Sequence, residues 1–159
     1  MEKKVLFVVD MQLGFMKKSK YRQIIGKINN LIENGGYDKI IFTKFRNRGR
    51  LFRKKLNWKD LKSERSQQIV VSCPQNAVVL TKSGYEIESK DLEFIKNLNS
   101  EQIDICGIQT DACVYAISLQ LFDCGIFPNV LFNYTASYCD KKVLKNLFIH
   151  QFGSIDERE

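Results

Sequence analysis

The sequence predicts an α/β fold in which a parallel sheet carries helices on both faces. Short apolar segments rich in β-branched residues alternate along the chain with segments whose apolar residues recur at helical spacing. The 159 residues contain no repeat, low-complexity tract or domain linker. We therefore expect one domain, residues 1–159, built on a central sheet of five or six strands.

Five segments have the composition of strands. The first, within KKVLFVVDMQ, is a short apolar run that ends in a carboxylate, which is typical of a strand buried on both faces. The other four lie within DKIIFTKF, NAVVLTKSG, QIDICGI and IFPNVLF. Because helical segments separate most of these strands, we expect the sheet to be parallel.

Four segments are predicted to be helices. In residues 21–34 the apolar side chains recur at helical spacing, and Gly35-Gly36 supplies a stop. The other three helices are predicted at residues 91–98, 111–124 and 140–151. Residues 46–62 form a basic stretch without a clean period, and long connections in compact domains often line a site.

The composition excludes several classes of protein. Hydrophobic residues make up 44% and charged residues 27% of the chain, as in an ordinary globular domain. The net charge of +7 suits contact with anions, but no recognition helix or interleaving of basic and aromatic residues indicates nucleic-acid binding. No stretch approaches the roughly 20 apolar residues of a membrane span, so we expect no membrane partner.

The cysteines indicate a reducing compartment. None of the five cysteines forms a CxxC pair, and with one histidine the chain has no zinc-finger spacing. The apolar run at residues 5–9 is too short for a signal peptide, and Asp10 follows it. We therefore expect a cytoplasmic protein with free thiols.

Three reactive side chains are expected at one edge of the sheet. Asp10 ends the first strand, Lys82 ends the third, and Cys113 opens the helix after the fourth. Ligands of open α/β sheets bind outside the carboxyl ends of the strands. Taken singly, Asp10 could cap a turn, Lys82 could be solvated and Cys113 could be a small core residue. Their combination on one edge favours a site.

These residue types suit nucleophilic catalysis. The thiolate is the reactive form of cysteine, and a helix N-terminus or a nearby Lys82 ammonium lowers the pKa of a thiol. Asp10 could take the Cys113 proton and later activate water. The main-chain N–H groups around Gln109 and Cys113 could form an oxyanion hole.

The ordered set of motifs LFVVDMQLGF, VVLTKSGYE, CGIQTDACVYAISLQLFDCG and FNYTAS resembles the isochorismatase-like cysteine hydrolase family. That family includes nicotinamidases and N-carbamoylsarcosine amidohydrolases, and the agreement runs from Val5 to about His150. The resemblance implies a three-layer Rossmann-like fold with a strand order of about 3-2-1-4-5. It also implies that Asp10, Lys82 and Cys113 are the catalytic triad.

The resemblance further implies a non-proline cis peptide at Ile108–Gln109, which would turn the Gln109 N–H toward the oxyanion beside that of Cys113. Nicotinamidases carry a metal site of one aspartate and two histidines, largely after the second strand. Here that segment reads FTKFRNRGR, and the only histidine, His150, lies in the predicted last helix. We therefore expect no metal and no cofactor, with His150 a surface or packing residue.

The expected substrate site combines aromatic and basic residues. Phe15, Phe45 and Tyr85, with Trp58, could supply the apolar wall of a small-molecule pocket, although Phe45 and Trp58 would serve equally well in a core or an interface. Arg46 heads a run of arginines after the second strand that could bind a substrate carboxylate bidentately. The alternative is a solvated basic loop.

The sequence leaves three functions open. The leading hypothesis is a metal-independent hydrolase of a small amide, ureide or carbamoyl C–N bond, with an anionic substrate as one option. The alternatives are an isochorismatase-type enol-ether hydrolase, or a catalytically idle binding or scaffold protein on the same fold. The helix after Cys113 is apolar nearly all round, so we also expect a homodimer or a higher homo-oligomer.

Overall fold

A computed structural model describes residues 2–159 and contains one parallel sheet of five strands in the order β3-β2-β1-β4-β5. The predicted α/β class, the parallel sheet and the strand order are confirmed. Four of the predicted strand segments contain an observed strand, and the fifth, IFPNVLF, covers only the first part of a strand that continues to Ala136. The observed strands are β1 (Val5–Val9), β2 (Lys39–Phe45), β3 (Val78–Lys82), β4 (Gln102–Ile108) and β5 (Phe127–Ala136).

Six α-helices lie within the described part of the chain. The helix predicted at residues 21–34 is two helices that meet at Ile24, and the basic stretch contains a helix that the sequence did not predict. The helices are α1 (Ser19–Gln23), α2 (Ile25–Asn34), α3 (Arg50–Leu56), α4 (Ser89–Lys96), α5 (Tyr115–Asp123) and α6 (Lys141–Phe152).

The sheet is the middle of three layers. All five residues of β1 are buried, and successive side chains of a strand point to opposite faces. Phe7 packs into a cluster with side chains of α4, α5 and α6, whereas Leu6 and Val8 pack into a second cluster with side chains of α1 and α2. Because the apolar side chains of β1 point alternately to the two faces, a layer of helices packs on each face of the sheet.

The two central strands approach closely at their carboxyl ends. Val9 of β1 is the register partner of Gly107 in β4. A Cβ at Gly107 would lie 2.2 Å from the Val9 carbonyl oxygen, and the Gly107 φ of +113° is one that other residues rarely adopt. The segments that follow, which begin at Asp10 and Gln109, are consequently held side by side.

Among the helices of residues 2–159, none combines the length and the apolar character that crossing a bilayer would require.

Candidate active site

The structure brings Asp10, Lys82 and Cys113 together at the carboxyl edge of the sheet. The Lys82 ammonium lies 3.0 Å from Asp10 Oδ2 and 3.2 Å from the Cys113 sulfur. All three residues are buried, with exposed fractions of 0%, 1% and 8% for Asp10, Lys82 and Cys113. We define these residues, together with Thr43, as the carboxyl-edge cluster.

Thr43 holds Asp10 in place. The threonine follows Phe42, the register partner of Val8, and is therefore adjacent to the end of β1. Its hydroxyl donates to Asp10 Oδ1 at 2.6 Å and accepts the Asp10 main-chain N–H at 3.0 Å. Asp10 itself has a positive φ of 51°. Sequence reasoning missed Thr43 because threonine is a common strand residue, and its one signal was a polar side chain within the apolar run IIFTKF.

Lys82 keeps its charge despite its burial. Burial by itself lowers the pKa of this ammonium, but the neighbouring Asp10 and Cys113 outweigh burial and raise the pKa above its usual value. The ammonium also donates to the Gly84 carbonyl at 2.8 Å and lies 4.9 Å from the centre of the Phe45 ring. It therefore has a partner on several sides, as a buried charge requires.

Cys113 lies in a single turn of π-helix, Thr110–Val114, directly before α5. A helical segment predicted at residues 111–124 is therefore confirmed with Cys113 near its start, but its first turn is π-helical and α5 itself begins at Tyr115. The Ile108–Gln109 peptide bond before the turn is cis. The Gln109 carbonyl then accepts N–H bonds from Ala112 and Val114, both at 3.1 Å, which closes the turn around the thiol.

The pKa of the Cys113 thiol is raised. Burial is the main cause and the negative charge of Asp10 the next, whereas Lys82 acts in the opposite direction and is outweighed. The expectation of a lowered pKa is therefore wrong for the protein without substrate. The physical reason is that the sulfur is enclosed, since a low-dielectric environment disfavours the thiolate.

A cavity of about 300 Å³ is lined by Cys113, together with Gln109 and Ala112. Aromatic rings form its wall: Trp58 stacks on Phe15 with ring centres 5.7 Å apart and also contacts Phe45, at 5.3 Å. Phe52, on the unpredicted helix α3, contacts Trp58 at 5.7 Å and Tyr85 at 5.3 Å. The sequence did not identify Phe52 because basic residues surround it. Of Asp10, Lys82 and Cys113, only Cys113 lines the cavity.

The predicted residues of the cavity divide into two groups. Phe15, Phe45 and Tyr85 line it, whereas Arg46 does not. The Arg46 main-chain N–H donates to the Lys82 carbonyl at 2.9 Å, and its side-chain Nε is buried with no hydrogen-bond partner. The charged residues that line the cavity are instead Lys17, Lys18 and Asp60, and Lys17 and Asp60 form an ion pair at 3.1 Å.

The side chains offer no fit for the metal site of nicotinamidases. Within residues 2–159, no three histidine, cysteine, aspartate or glutamate side chains are grouped closely enough to hold a metal ion. His150 is exposed on α6, away from the segment after β2. Phenylalanine, arginine and asparagine occupy that segment, from Phe45 to Asn47.

The open parallel sheet with helices on both faces makes this an α/β protein, and it carries a buried aspartate, lysine and cysteine at its carboxyl edge. The chain belongs to the isochorismatase domain family, whose family model matches residues 4–147. The comparison with curated proteins found no significant match to the sequence.

Several solved structures share the fold. N-carbamoylsarcosine amidase from Thermoplasma acidophilum has a TM-score of 0.85 at 18% identity, over 98% of this chain and 96% of that one. Pyrazinamidase of Pyrococcus horikoshii, in complex with zinc, has a TM-score of 0.81 at 20% identity over 99% of each chain. Nicotinamidase from Bacillus subtilis has a TM-score of 0.77 at 16% identity over 98% of this chain and 99% of that one. At these identities the likeness establishes the fold.

Proposed function

We propose that this protein is a metal-independent cysteine hydrolase that cleaves the C–N bond of a small amide, ureide or carbamoyl compound. The observation that carries the proposal is that Cys113 lines an aromatic cavity while its sulfur contacts the Lys82 ammonium, which in turn pairs with Asp10. Membership of the isochorismatase domain family supports hydrolysis. The fold shared with an N-carbamoylsarcosine amidase and a nicotinamidase supports an amide-type bond as the target.

In the first step the Cys113 sulfur attacks the substrate carbonyl carbon, and the thiol proton moves to Asp10. The new C–S bond forms as the carbonyl π electrons move onto oxygen, which gives a tetrahedral oxyanion. We assign the main-chain N–H groups of Gln109 and Cys113 as its donors, since both residues line the cavity.

In the second step the C–N bond breaks, and the departing nitrogen takes the proton from Asp10. This leaves a thioester on Cys113 and a free amine or ammonia. Asp10 then removes a proton from a water molecule that attacks the thioester carbon. When the second tetrahedral intermediate collapses, the acid is released and the proton returns to the thiol.

The electrostatics favour proton transfer at the moment of attack. Because burial and Asp10 raise the pKa of Cys113, the resting thiol is protonated, and a positioned base is needed to remove the proton. The Lys82 ammonium, 3.2 Å from the sulfur, stabilises the negative charge that develops there. The Asp10–Lys82 ion pair also offsets the cost of burying each of the two side chains.

The cavity wall favours a substrate with an apolar or planar group beside the amide. Five aromatic side chains line a volume of about 300 Å³, which is the size of a small-molecule site. Arg46, the residue predicted to bind a substrate carboxylate, is not part of the lining. Lys17 is paired with Asp60, and Lys18 adds a further positive charge to the lining, so the proposal includes an anionic amide as well as an uncharged one.

The test is a panel of small amides, ureides and carbamoyl compounds, assayed for release of ammonia or amine. The wild-type protein is compared with Cys113→Ala and with the control Cys124→Ser, which changes a partly buried thiol at the C-terminus of α5. We expect turnover by wild type and C124S, none by C113A, and a thioester on Cys113 in quenched reactions by mass spectrometry. Turnover that survives in C113A, or no turnover by wild type, would reject the proposal.

We also infer that the chain forms a homo-oligomer. Ile117 and Leu121 of α5 are buried within the protomer, but Phe122 on the same helix is 45% exposed. Light scattering on the purified protein should give a mass of at least two chains, and Phe122→Lys should lower it. A monomeric mass for wild type would contradict this inference.

A further inference from the structure

We infer that Thr43 is a positioning residue that decides which oxygen of Asp10 receives the thiol proton. The inference rests on the proposed function, because it assigns an atom to the proton transfer in the first step. Thr43 is 1% exposed, lies on β2 and does not line the cavity, so it can act only through Asp10.

The hydrogen bonds around the Thr43 hydroxyl have a fixed direction. The Asp10 main-chain N–H can only donate, and it lies 3.0 Å from Thr43 Oγ1. The hydroxyl therefore accepts there, and its single proton remains for Asp10 Oδ1, at 2.6 Å. Because Thr43 donates to it, Oδ1 is an acceptor in the resting protein and is less available to a proton from Cys113.

The other carboxylate oxygen, Asp10 Oδ2, does not accept the Thr43 proton. It is buried and pairs with the Lys82 ammonium at 3.0 Å. The same ammonium lies 3.2 Å from the Cys113 sulfur and also donates to the Gly84 carbonyl. Because the ammonium contacts both Oδ2 and the sulfur, and Thr43 donates only to Oδ1, we assign Oδ2 as the atom that takes the proton.

The two bonds to Thr43 also fix the orientation of the carboxylate. One bond holds the main chain of Asp10 at its positive φ, and the other stops the side chain from rotating about its terminal C–C bond. Without the hydroxyl, the carboxylate is free to turn Oδ2 away from the Lys82 ammonium and the thiol. This change weakens the base without altering the cavity wall.

The test compares Thr43→Val, which keeps the shape of the side chain, with Thr43→Ser, which keeps the hydroxyl. We expect T43V to lower kcat by about tenfold to a hundredfold, as for one lost hydrogen bond to a charged group, with KM nearly unchanged. T43S should restore kcat to within a few-fold of wild type. If packing alone matters, T43V will be the more active variant, and the inference is wrong.

A second readout does not depend on turnover. The Asp10 charge raises the pKa of Cys113, so a carboxylate that has turned away should make alkylation of Cys113 by iodoacetamide faster. We expect T43V to be alkylated several-fold faster than T43S at Cys113, measured by mass spectrometry at pH 8. Cys106 is fully buried in β4 and reports opening of the sheet, so its alkylation should stay unchanged.

These two readouts separate the inference from the proposed function. Faster alkylation of Cys113 in T43V, with no substrate turned over by wild type, would support the role of Thr43 and reject the hydrolase. Turnover by wild type with kcat unchanged in T43V would support the hydrolase and reject the role of Thr43. Faster alkylation of Cys106 as well would mean that the substitution opens the sheet, and would overturn the inference. Should T43V not fold, Thr43→Ala, which also lacks the hydroxyl, takes its place.

Discussion

Two buried carboxylates lie on the neighbouring central strands, at opposite edges of the sheet. Asp104, in β4 near its amino end, accepts hydrogen bonds from Tyr37 Oη and Asn129 Nδ2, both at 2.7 Å, and Arg158 lies 3.7 Å away. We call these residues, with Asp156, the amino-edge cluster. Asp10, at the carboxyl end of β1, accepts a side-chain hydrogen bond on one oxygen only and faces an ammonium and a thiol.

The two clusters differ in the partners that their buried carboxylates have. The amino-edge cluster has donors for its carboxylates, and Asp156 also joins the C-terminal segment to β5 through main-chain bonds of its own. A buried polar group with all its partners stabilises a fold. In the carboxyl-edge cluster, Oδ2 of Asp10 pairs with the Lys82 ammonium, and the Cys113 sulfur contacts the same ammonium. A buried carboxylate that shares its cation with a nucleophile is suited to accept a proton.

The largest expected effect separates the two aspartates by activity. Asp10→Asn should lower turnover per folded molecule by at least about a thousandfold, because triad members act as a unit. Asp104→Asn, the matched control, should leave turnover per folded molecule unchanged but lower the free energy of unfolding by about 1–3 kcal/mol. Steady-state kinetics and urea denaturation measure the two quantities. Equal losses of activity in both variants would remove the distinction between the clusters.

The next effect concerns the ion pair. Lys82→Met leaves the Asp10 carboxylate buried without its cation, so it should lower the free energy of unfolding by about 3–5 kcal/mol. The double variant D10N/K82M should recover much of that loss, because no uncompensated charge remains. Thermal or urea unfolding of the four proteins forms a double-mutant cycle. Additive losses would show that the two charges do not interact.

The reactivity of Cys113 should change in opposite directions in the two variants. Asp10 raises and Lys82 lowers the pKa of the thiol. D10N should therefore lower the pKa and speed alkylation by iodoacetamide at pH 8, by about tenfold for each pKa unit, and K82M should slow it. Labelling of Cys113, with exposed Cys73 as the reference thiol, measures both. Slower labelling in D10N would contradict the assigned charges.

The smallest expected effect is a dependence of folding stability on acidic pH, caused by Asp156 in the amino-edge cluster. The hydrogen bond from Arg158 is the main cause that lowers the pKa of Asp156 from 3.8 to about 2. A folded-state pKa below the unfolded one stabilises the protein above the unfolded value, and this contribution is lost as the pH falls from about 4 to about 2. Asp156→Asn should therefore be less stable than wild type at pH 6, and the difference should shrink toward pH 2. A constant difference across that range would contradict the assignment.

The sequence predicts those features of the fold and site that depend on the order of elements along the chain and on apolar runs. Asp10 and Lys82 could be placed on one edge because each ends an apolar strand, and parallel strands bring their carboxyl ends together. The π-helical turn at Cys113 could not be foreseen, because a single wider turn leaves no trace in helical spacing. Helix α3 was missed since its basic residues hide the apolar Phe52. The amino-edge cluster joins residues as far apart as Tyr37 and Arg158, and no local pattern encodes such pairing.

The burial of Asp10 and Lys82 behind Cys113 has a consequence for the order of events in a catalytic cycle. Since neither residue lines the cavity, in the proposed reaction water reaches the base from the substrate side, past the sulfur. The amine must then leave before water can enter, which predicts ping-pong kinetics. A second nucleophile such as hydroxylamine would follow the same route and divert the thioester to a hydroxamate, in competition with hydrolysis.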